Sequence, residues 1–259
     1  MTDQLSLRLD PDLPTLPNLP ASLSPMLARA LADPFDSADH LFEPSWGGTR
    51  GLAFIGPADA PGSGAVRIVG TDGQDLSAAM PELAGLAVRV DARSAVLDGE
   101  LVVVDGDGRA DAAALEVRLS GDAGRPVAFL AFDLLHLDGR SLLGVALERR
   151  RSMLRRVLRP GDEVVAVPAI PTEGRALFDA AAAQGIAGIM ARQRSSPYLP
   201  GVRSRLWRFI AARPPGKRRR AQREPSESST LGVPGEVGGP ASGPVLALIS
   251  RLPLLDDED

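Results

Sequence analysis

The chain has 259 residues, a net charge of −4 and 44% hydrophobic residues, which allows one large domain or two small ones with a substantial core. The absence of cysteine excludes disulfides and cysteine-based metal sites. The first residues lack a basic start followed by an apolar run, and no apolar stretch approaches the roughly 20 residues of a membrane span. We therefore expect a cytoplasmic protein without a membrane contact, and the negative net charge gives no global attraction to nucleic acid.

The two ends of the chain differ in composition from its middle. Residues 1–20 contain four prolines without hydrophobic periodicity, which predicts a disordered lead, and the pattern of a folded domain extends over residues 21–213. Residues 214–259 are rich in Pro, Gly and Ser, and we expect them to form a disordered tail. This tail carries a short apolar patch at 245–255, a candidate contact for a protein partner, and a basic cluster, a candidate contact for DNA or another polyanion, formed by Lys217, Arg218, Arg219 and Arg220.

The middle of the chain mixes strand and helix patterns without regular alternation. Apolar or alternating runs predict strands over 41–44, 49–55, 65–69, 94–104, 127–135, 164–169, 186–192 and 204–212. Helical spacing predicts helices over 76–88, 112–119, 147–158, with an arginine-rich outer face, and 173–184, ended by Gly185. This order indicates an α+β fold with mostly antiparallel sheets flanked by helices.

Seven short strings occur in a fixed order along the predicted domain. They are residues 42–50 (FEPSWGGTR), 72–77 (DGQDLS), 97–103 (LDGELVV), 132–139 (FDLLHLDG), 187–192 (AGIMAR), 196–198 (SPY) and 204–208 (SRLWR). The ordered set resembles the nucleotidyltransferase (adenylation) domain of bacterial ATP-dependent DNA ligases, an ATP-grasp-like fold. An OB-fold follows this domain in ligases; we expect none here, because the residues after Arg213 are few and rich in Pro and Gly.

The resemblance implies a lysine that attacks the α-phosphate of ATP and becomes covalently adenylylated. Ser45 stands at the lysine position. The sole lysine of the chain, Lys217, lies outside the predicted domain, so no lysine of the domain could replace the nucleophile. A serine hydroxyl would need a general base, and His40 and His136 are poor candidates for that role. We therefore assign no catalytic residue.

Other polar groups that the resemblance implies are missing as well. Gly47 and Ala187 replace two carboxylates, and Phe209 and Ala211 replace two lysines that bind phosphate in the family. A hard metal ion requires several oxygen ligands. ATP and Mg²⁺ are the cofactors that the resemblance implies, and these losses argue against both, so we predict no metal site.

The residues that match nucleotide-binding positions of the family are Glu43, Arg50, Glu100, Phe132 and Arg192. Phe132 would stack on adenine, or it is an ordinary core aromatic. Asp98 and Glu100 share one face of a strand, where they would contact the nucleotide or form an ion pair with Arg50.

The sequence leads to three hypotheses about function. The leading one is a pseudoenzyme of the ATP-dependent DNA ligase family, with an ancestry in DNA repair and strand joining, that lacks lysine adenylylation and retains at most nucleotide or DNA binding. The first alternative is an active nucleotidyltransferase with an altered mechanism. The second is a binding or scaffold module that uses its C-terminal tail.

Overall fold

The computed structural model describes residues 19–58, 62–107 and 109–212. Most of the predicted lead and all of the tail, including the basic cluster at 217–220 and the apolar patch at 245–255, lie outside the described residues. No helix in the described ranges is long and apolar enough to cross a membrane.

Eleven strands and four α-helices make up the described part of the chain. The strands are β1 Leu27–Ala30, β2 Ser37–Ser45, β3 Thr49–Ile55, β4 Val66–Gly70, β5 Ala95–Val103, β6 Val127–Leu137, β7 Arg140–Ser141, β8 Val164–Ala166, β9 Ile170–Thr172, β10 Gly188–Gln193 and β11 Arg203–Ala211. The helices are α1 Leu86–Arg89, α2 Ala112–Leu119, α3 Leu147–Val157 and α4 Gly174–Ala183, preceded by 3₁₀ turns at Ser77–Ala79 and Pro81–Gly85.

The strands form two sheets. Sheet A has the order β1-β11-β10-β2-β9, and sheet B has the order β4-β3-β5-β6-β7, with β8 also paired to β6. Every pairing between named strands is antiparallel except β1 with β11 and β6 with β8. This confirms the predicted α+β fold with mostly antiparallel sheets.

Two hydrophobic clusters form the core. One joins the facing sides of sheets A and B and continues around sheet A to α4; it includes Leu52, Val96, Leu130, Trp207 and Leu177. The other lies on the far side of sheet B beneath the 3₁₀ turns, α2 and α3, and includes Leu83, Leu97, Leu115, Phe129 and Leu154. Because sheet B is covered on both sides, charged groups on its inner face lie in a largely water-excluded cleft between the sheets.

Two predicted elements were wrong in detail. The helix predicted over 76–88 is broken into two 3₁₀ turns and the short α1, because Pro81 has no amide hydrogen to donate and Gly85 disfavours a continuous helix. The strand predicted over 164–169 ends at Ala166, since Pro168 interrupts pairing, and the chain then crosses to sheet A as β9. The sequence patterns also gave no indication of β1, β7 and the exposed first part of β2.

The arginine-rich outer face predicted for the helix at 147–158 holds for Arg149, Arg155 and Arg156, which are exposed, but not for two other arginines of that helix. Arg150 and Arg151 of α3 are 0% and 2% exposed, and they point into the protein beside Leu147 and Leu154. Removing a guanidinium from water costs free energy, and this cost is offset only where carboxylates and carbonyl oxygens accept its hydrogen bonds. Both side chains form buried ion pairs with carboxylates of the two sheets.

Candidate functional site

The segment between β2 and β3 carries the nucleophile position and is pressed against sheet B. Ser45 is the last residue of β2 and pairs in register with Gly188 of β10. Gly47 has a φ of +80°, a left-handed conformation that glycine adopts without strain. A Cβ on Gly48 would lie 2.1 Å from the carbonyl oxygen of Leu101, so only glycine allows this close approach to β5.

Glu100 anchors this segment. Its carboxylate accepts a hydrogen bond from the Gly48 amide at 2.6 Å and a longer one from the Trp46 amide at 3.4 Å. Burial raises the pKa of Glu100 above its usual value, and the loop amides oppose that shift. The side chain that sequence comparison matched to nucleotide binding thus has backbone partners of its own.

Gly47 and Ala187 stand at the positions of the two missing carboxylates, and they are direct neighbours. A Cβ on Gly47 would lie 3.0 Å from the Cβ of Ala187, and both residues are exposed at the rim of the cleft. Throughout the described ranges, no three His, Asp or Glu side chains lie close enough together to hold a metal ion. The residues present therefore do not fit the hard cation that the family chemistry requires.

Arg50 and Asp98 form a bidentate ion pair across strands β3 and β5. Nε and Nη2 of Arg50 donate to the two carboxylate oxygens of Asp98 at 2.6 and 2.5 Å, and the Tyr198 hydroxyl donates to the same carboxylate at 2.7 Å. Asp98 is 0% exposed. Burial alone would lower the pKa of Arg50, but the charge and hydrogen bonds of Asp98 outweigh it and raise that pKa. Of the two roles proposed for Arg50, this geometry matches the ion pair.

Phe132 lies beneath two guanidinium groups. The Cζ atom of Arg192 is 3.9 Å from the ring centroid of Phe132, and that of Arg50 is 4.9 Å from it. Arg192 also lies 4.8 Å from the Trp207 ring, which meets Phe132 edge-on. Phe132 is 5% exposed. The ring that would stack on a base is in contact with arginine side chains of the same chain.

Glu43 is the counter-charge of two buried arginines. Its carboxylate forms ion pairs with Arg151 and with Arg192, and it is 1% exposed. Arg151 also donates to the carbonyl oxygen of Phe132 at 2.8 Å and to that of Val167 at 2.5 Å. Burial lowers the pKa of Arg192 to about 9 and that of Arg151 to about 10, which leaves both guanidiniums protonated at neutral pH.

A further buried pair escaped the sequence analysis. Arg150 donates from Nε and Nη2 to the two oxygens of Asp133, both at 2.8 Å, and both side chains are 0% exposed. Burial raises the pKa of Asp133, and the pairing with Arg150 opposes that shift. Two arginines on the apolar stripe of an amphipathic helix, beside Leu147 and Leu154, were the sequence signal that could have indicated such pairs.

Strand β11 carries uncharged side chains at both positions that match the phosphate-binding lysines of the family. Trp207, Phe209 and Ala211 alternate along β11, opposite Arg192, Met190 and Gly188 of β10. Alternate residues of a strand point to one side, so Phe209 and Ala211 lie on the same side as Trp207, which faces the cleft. The end of the cleft near Ser45 therefore carries no cation from β11.

The fold and this cleft are those of a nucleotidyltransferase domain of the ligase type. A family model described as the ATP dependent DNA ligase domain matches residues 25–209. The chain therefore belongs to the ATP-dependent DNA ligase family.

Relatives and solved structures agree with this assignment. The multifunctional non-homologous end joining DNA repair protein LigD of Mycobacterium tuberculosis is 35% identical over 189 residues, which cover 72% of this chain and 23% of that protein. DNA ligase C1 of Mycolicibacterium smegmatis is 32% identical over 213 residues, covering 74% of this chain and 56% of that protein. A structure of mycobacterial DNA ligase D complexed with ATP and MES has a TM-score of 0.62 and 32% identity, covering 73% of this chain and 60% of that one. The chain thus spans less than a quarter of LigD and about half of ligase C1.

Proposed function

We propose that this chain is a pseudoenzyme of the ATP-dependent DNA ligase family, which forms no enzyme–AMP intermediate and acts in DNA end joining without nucleotide chemistry. The link to DNA repair comes from its similarity to LigD, which is named for that process. A protein with this role would act on DNA, and we therefore propose that it is located in the cytoplasm. The observation that carries the proposal is the cleft between the sheets, whose base-stacking and charged groups are already engaged with one another.

The first support for the proposal is that Ser45, at the nucleophile position, has no histidine nearby to activate it. Ser45 has a hydroxyl in place of an amine, and its activation would require a base within hydrogen-bonding reach. His40 lies five residues away on the same extended strand, which is about 16 Å at the rise of a β-strand. His136 pairs with Val96, four residues along β5 from Glu100, towards the opposite end of the sheet. Neither histidine is placed to activate Ser45.

The charges of the cleft support it further. The ion pairs Arg50–Asp98, Arg150–Asp133 and Glu43 with both Arg151 and Arg192 use these groups internally. A bound triphosphate would need cations that are free to contact it. To bind a base against Phe132, the protein would have to displace Arg192 and leave Glu43 with one partner fewer, at the cost of disturbing a buried pair.

Incubation of the full chain with α-labelled ATP and Mg²⁺ or Mn²⁺, followed by denaturing electrophoresis, tests the proposal. We expect no label on the protein, with an active ATP-dependent ligase as the positive control in the same buffer. A covalent label that survives denaturation would overturn the pseudoenzyme assignment and favour the altered mechanism. Mapping the labelled residue would then show whether Ser45 or Lys217 had reacted.

A further inference from the structure

A second concavity lies on the side of sheet A that faces away from the cleft. Its volume is about 510 Å³, and its lining includes Leu31, Phe35, His40, Gln193, Arg205 and Arg208. Arg208 pairs in register with Ala191, which pairs with Phe42, so these positions alternate with the cleft-facing Trp207, Arg192 and Glu43. We call this concavity the outer groove.

Helix α4 covers only part of this side of sheet A. The helix begins at Gly174, which packs directly against the ring of Phe42. A Cβ at Gly174 would lie only 2.3 Å from that ring. Two residues earlier on β2, His40 lies beyond the helix, beside Gln193 of β10. The outer groove occupies this uncovered part of the sheet.

The outer groove is bordered by arginines without carboxylate partners. Arg205 and Arg208 line it, and Arg29 of β1 pairs in register with Arg208. Arg203 lies on the same strand as Arg205 and donates to the carbonyl oxygen of Ala28 at 2.9 Å. Within residues 19–58, 62–107 and 109–212, none of these four arginines forms an ion pair, in contrast to the arginines of the cleft. Their charge is available to an anionic ligand.

Two half-buried rings lie beside these cations. The ring centroids of Phe35 and His40 are 5.1 Å apart at an interplanar angle of 89°. The Ser37 hydroxyl forms a hydrogen bond with Nδ1 of His40 at 3.0 Å. Burial lowers the pKa of His40; Arg208 adds to this shift, and Asp39, the carboxylate in the groove, opposes it. The imidazole is therefore largely neutral at pH 7 and offers a flat, uncharged ring.

Rings and unpaired guanidiniums side by side are the combination with which proteins bind single strands, because bases stack on the rings while cations follow the phosphates. A duplex keeps its bases stacked inside and could use only the cations. We propose that the outer groove binds single-stranded nucleic acid, with Arg29, Arg205 and Arg208 on phosphates and Phe35 and His40 against bases. This site goes beyond the proposed function, and it does not depend on the state of the cleft.

Fluorescence anisotropy with a labelled single-stranded 20-mer oligonucleotide, titrated with the full chain at several salt concentrations, tests this site. We expect Arg205→Ala/Arg208→Ala to weaken binding and to reduce the slope of log affinity against log salt by about 1.4, since each lost phosphate contact contributes about 0.7 on a single strand. Phe35→Leu keeps an apolar side chain but removes the ring, and we expect a loss of several-fold with the salt slope unchanged.

The matched control is Arg155→Ala/Arg156→Ala, which removes the same charge from the exposed side of α3 and should leave the affinity within twofold. Circular dichroism and thermal melts of each variant establish that it is folded. Unchanged binding by Arg205→Ala/Arg208→Ala, combined with loss on neutralising residues 217–220, would assign the binding to the basic cluster and overturn the proposal. Equal affinity for poly-glutamate, or no binding of the 20-mer, would also overturn it. The ATP-labelling result is independent of all these outcomes.

Discussion

The guanidinium carbon of Arg192 lies 3.9 Å from the ring centroid of Phe132, and the same guanidinium is paired with the buried carboxylate of Glu43. Arg192 thus contacts both the aromatic ring and the acidic residue that the family resemblance connects with nucleotide binding. A lysine at this position would place a compact, strongly hydrated ammonium there, whereas the planar guanidinium stacks on a ring and accepts a buried environment more readily. Arg192 therefore packs against an aromatic ring and neutralises a buried carboxylate at the same time.

The first prediction concerns nucleotide binding. We expect 1 mM ATP or AMP, with Mg²⁺, to leave the melting temperature of the full chain unchanged. A ligand present at 100 times its Kd would add about 2.7 kcal/mol to the free energy of unfolding, which corresponds to a shift of several degrees for a domain of this size. Differential scanning fluorimetry measures this, with inorganic triphosphate as a control for non-specific anion effects. A shift produced by AMP but not by triphosphate would mean that the base pocket still opens.

The second prediction concerns the buried charge of Glu43. Glu43→Gln leaves Arg151 and Arg192 protonated without a counter-charge in a water-excluded site, and we expect the free energy of unfolding to fall by about 3–5 kcal/mol. Glu148→Gln is the matched control, since Glu148 also pairs with an arginine, Arg194, but at the exposed surface, where the loss should be much smaller. Urea unfolding followed by circular dichroism compares the two variants. Equal losses would mean that the buried pair contributes no more than the surface pair.

The fold class and most of the strands and helices could be predicted from the sequence, because they depend on local hydrophobic patterns. Strands β3 and β5 were both predicted from their apolar patterns, and their antiparallel pairing in the folded chain brings Arg50 opposite Glu100 and close to Asp98. The structure selects between these two carboxylates: Arg50 pairs with Asp98, while Glu100 receives the loop amides of Trp46 and Gly48. That choice depends on how a glycine segment approaches β5, which spacing alone does not indicate.

The buried ion pairs of α3 could not be predicted from local patterns. Glu43 and Arg151 are 108 positions apart in sequence, and their contact depends on how α3 packs against sheet B. Arginines on a helix normally indicate a solvated side, so the pattern favoured the wrong face for Arg150 and Arg151. Only the tertiary arrangement shows that Asp133 and Glu43 provide their counter-charges.

The third prediction is that Ser45→Lys alone will not restore adenylylation. The new amine would stand at the rim of the cleft, but Gly47, Ala187, Phe209 and Ala211 would still supply neither a carboxylate nor a cation. Denaturing gels after incubation with α-labelled ATP and Mg²⁺ measure the adduct, with circular dichroism as the check that the variant is folded. A labelled Ser45→Lys protein would show that the other losses matter less than the contacts of the cleft suggest.

Adding the carboxylates back has a structural cost of its own, which makes a fourth prediction. Gly47→Asp places a side chain at a φ of +80°, where its Cβ would lie 3.0 Å from that of Ala187. We expect Gly47→Asp to lower the free energy of unfolding by about 1–3 kcal/mol, because the left-handed backbone and the contact both disfavour it. Gly73→Asp is the matched control, since Gly73 has a φ of +86° but nothing within 4 Å of an added Cβ. A larger loss for Gly47→Asp than for Gly73→Asp in urea unfolding would isolate the contact with Ala187, and equal losses would contradict it.

The last prediction concerns the pH dependence that Glu100 imposes. Burial raises its pKa in the folded protein, so the folded state holds this proton to a higher pH than the unfolded state does. The free energy of unfolding must therefore lose this contribution as the pH rises from the unfolded pKa, about 4.3, through the raised folded value. Glu100→Gln is neutral at every pH and lacks that loss.

We therefore expect the stability of Glu100→Gln, relative to the unaltered chain, to improve as the pH is raised from 4.5 to 7.5. Urea unfolding of both proteins across this range measures the difference, and subtraction cancels the titration of all other groups. Glu148→Gln serves as the control: its hydrogen bond to Arg194 lowers the pKa of Glu148, so the pH-dependent change for that variant falls mainly below the unfolded pKa of about 4.3, and its relative stability should change little between pH 4.5 and 7.5. A relative stability of Glu100→Gln that stays constant or declines between pH 4.5 and 7.5 would show that the loop amides, rather than burial, control the charge of Glu100.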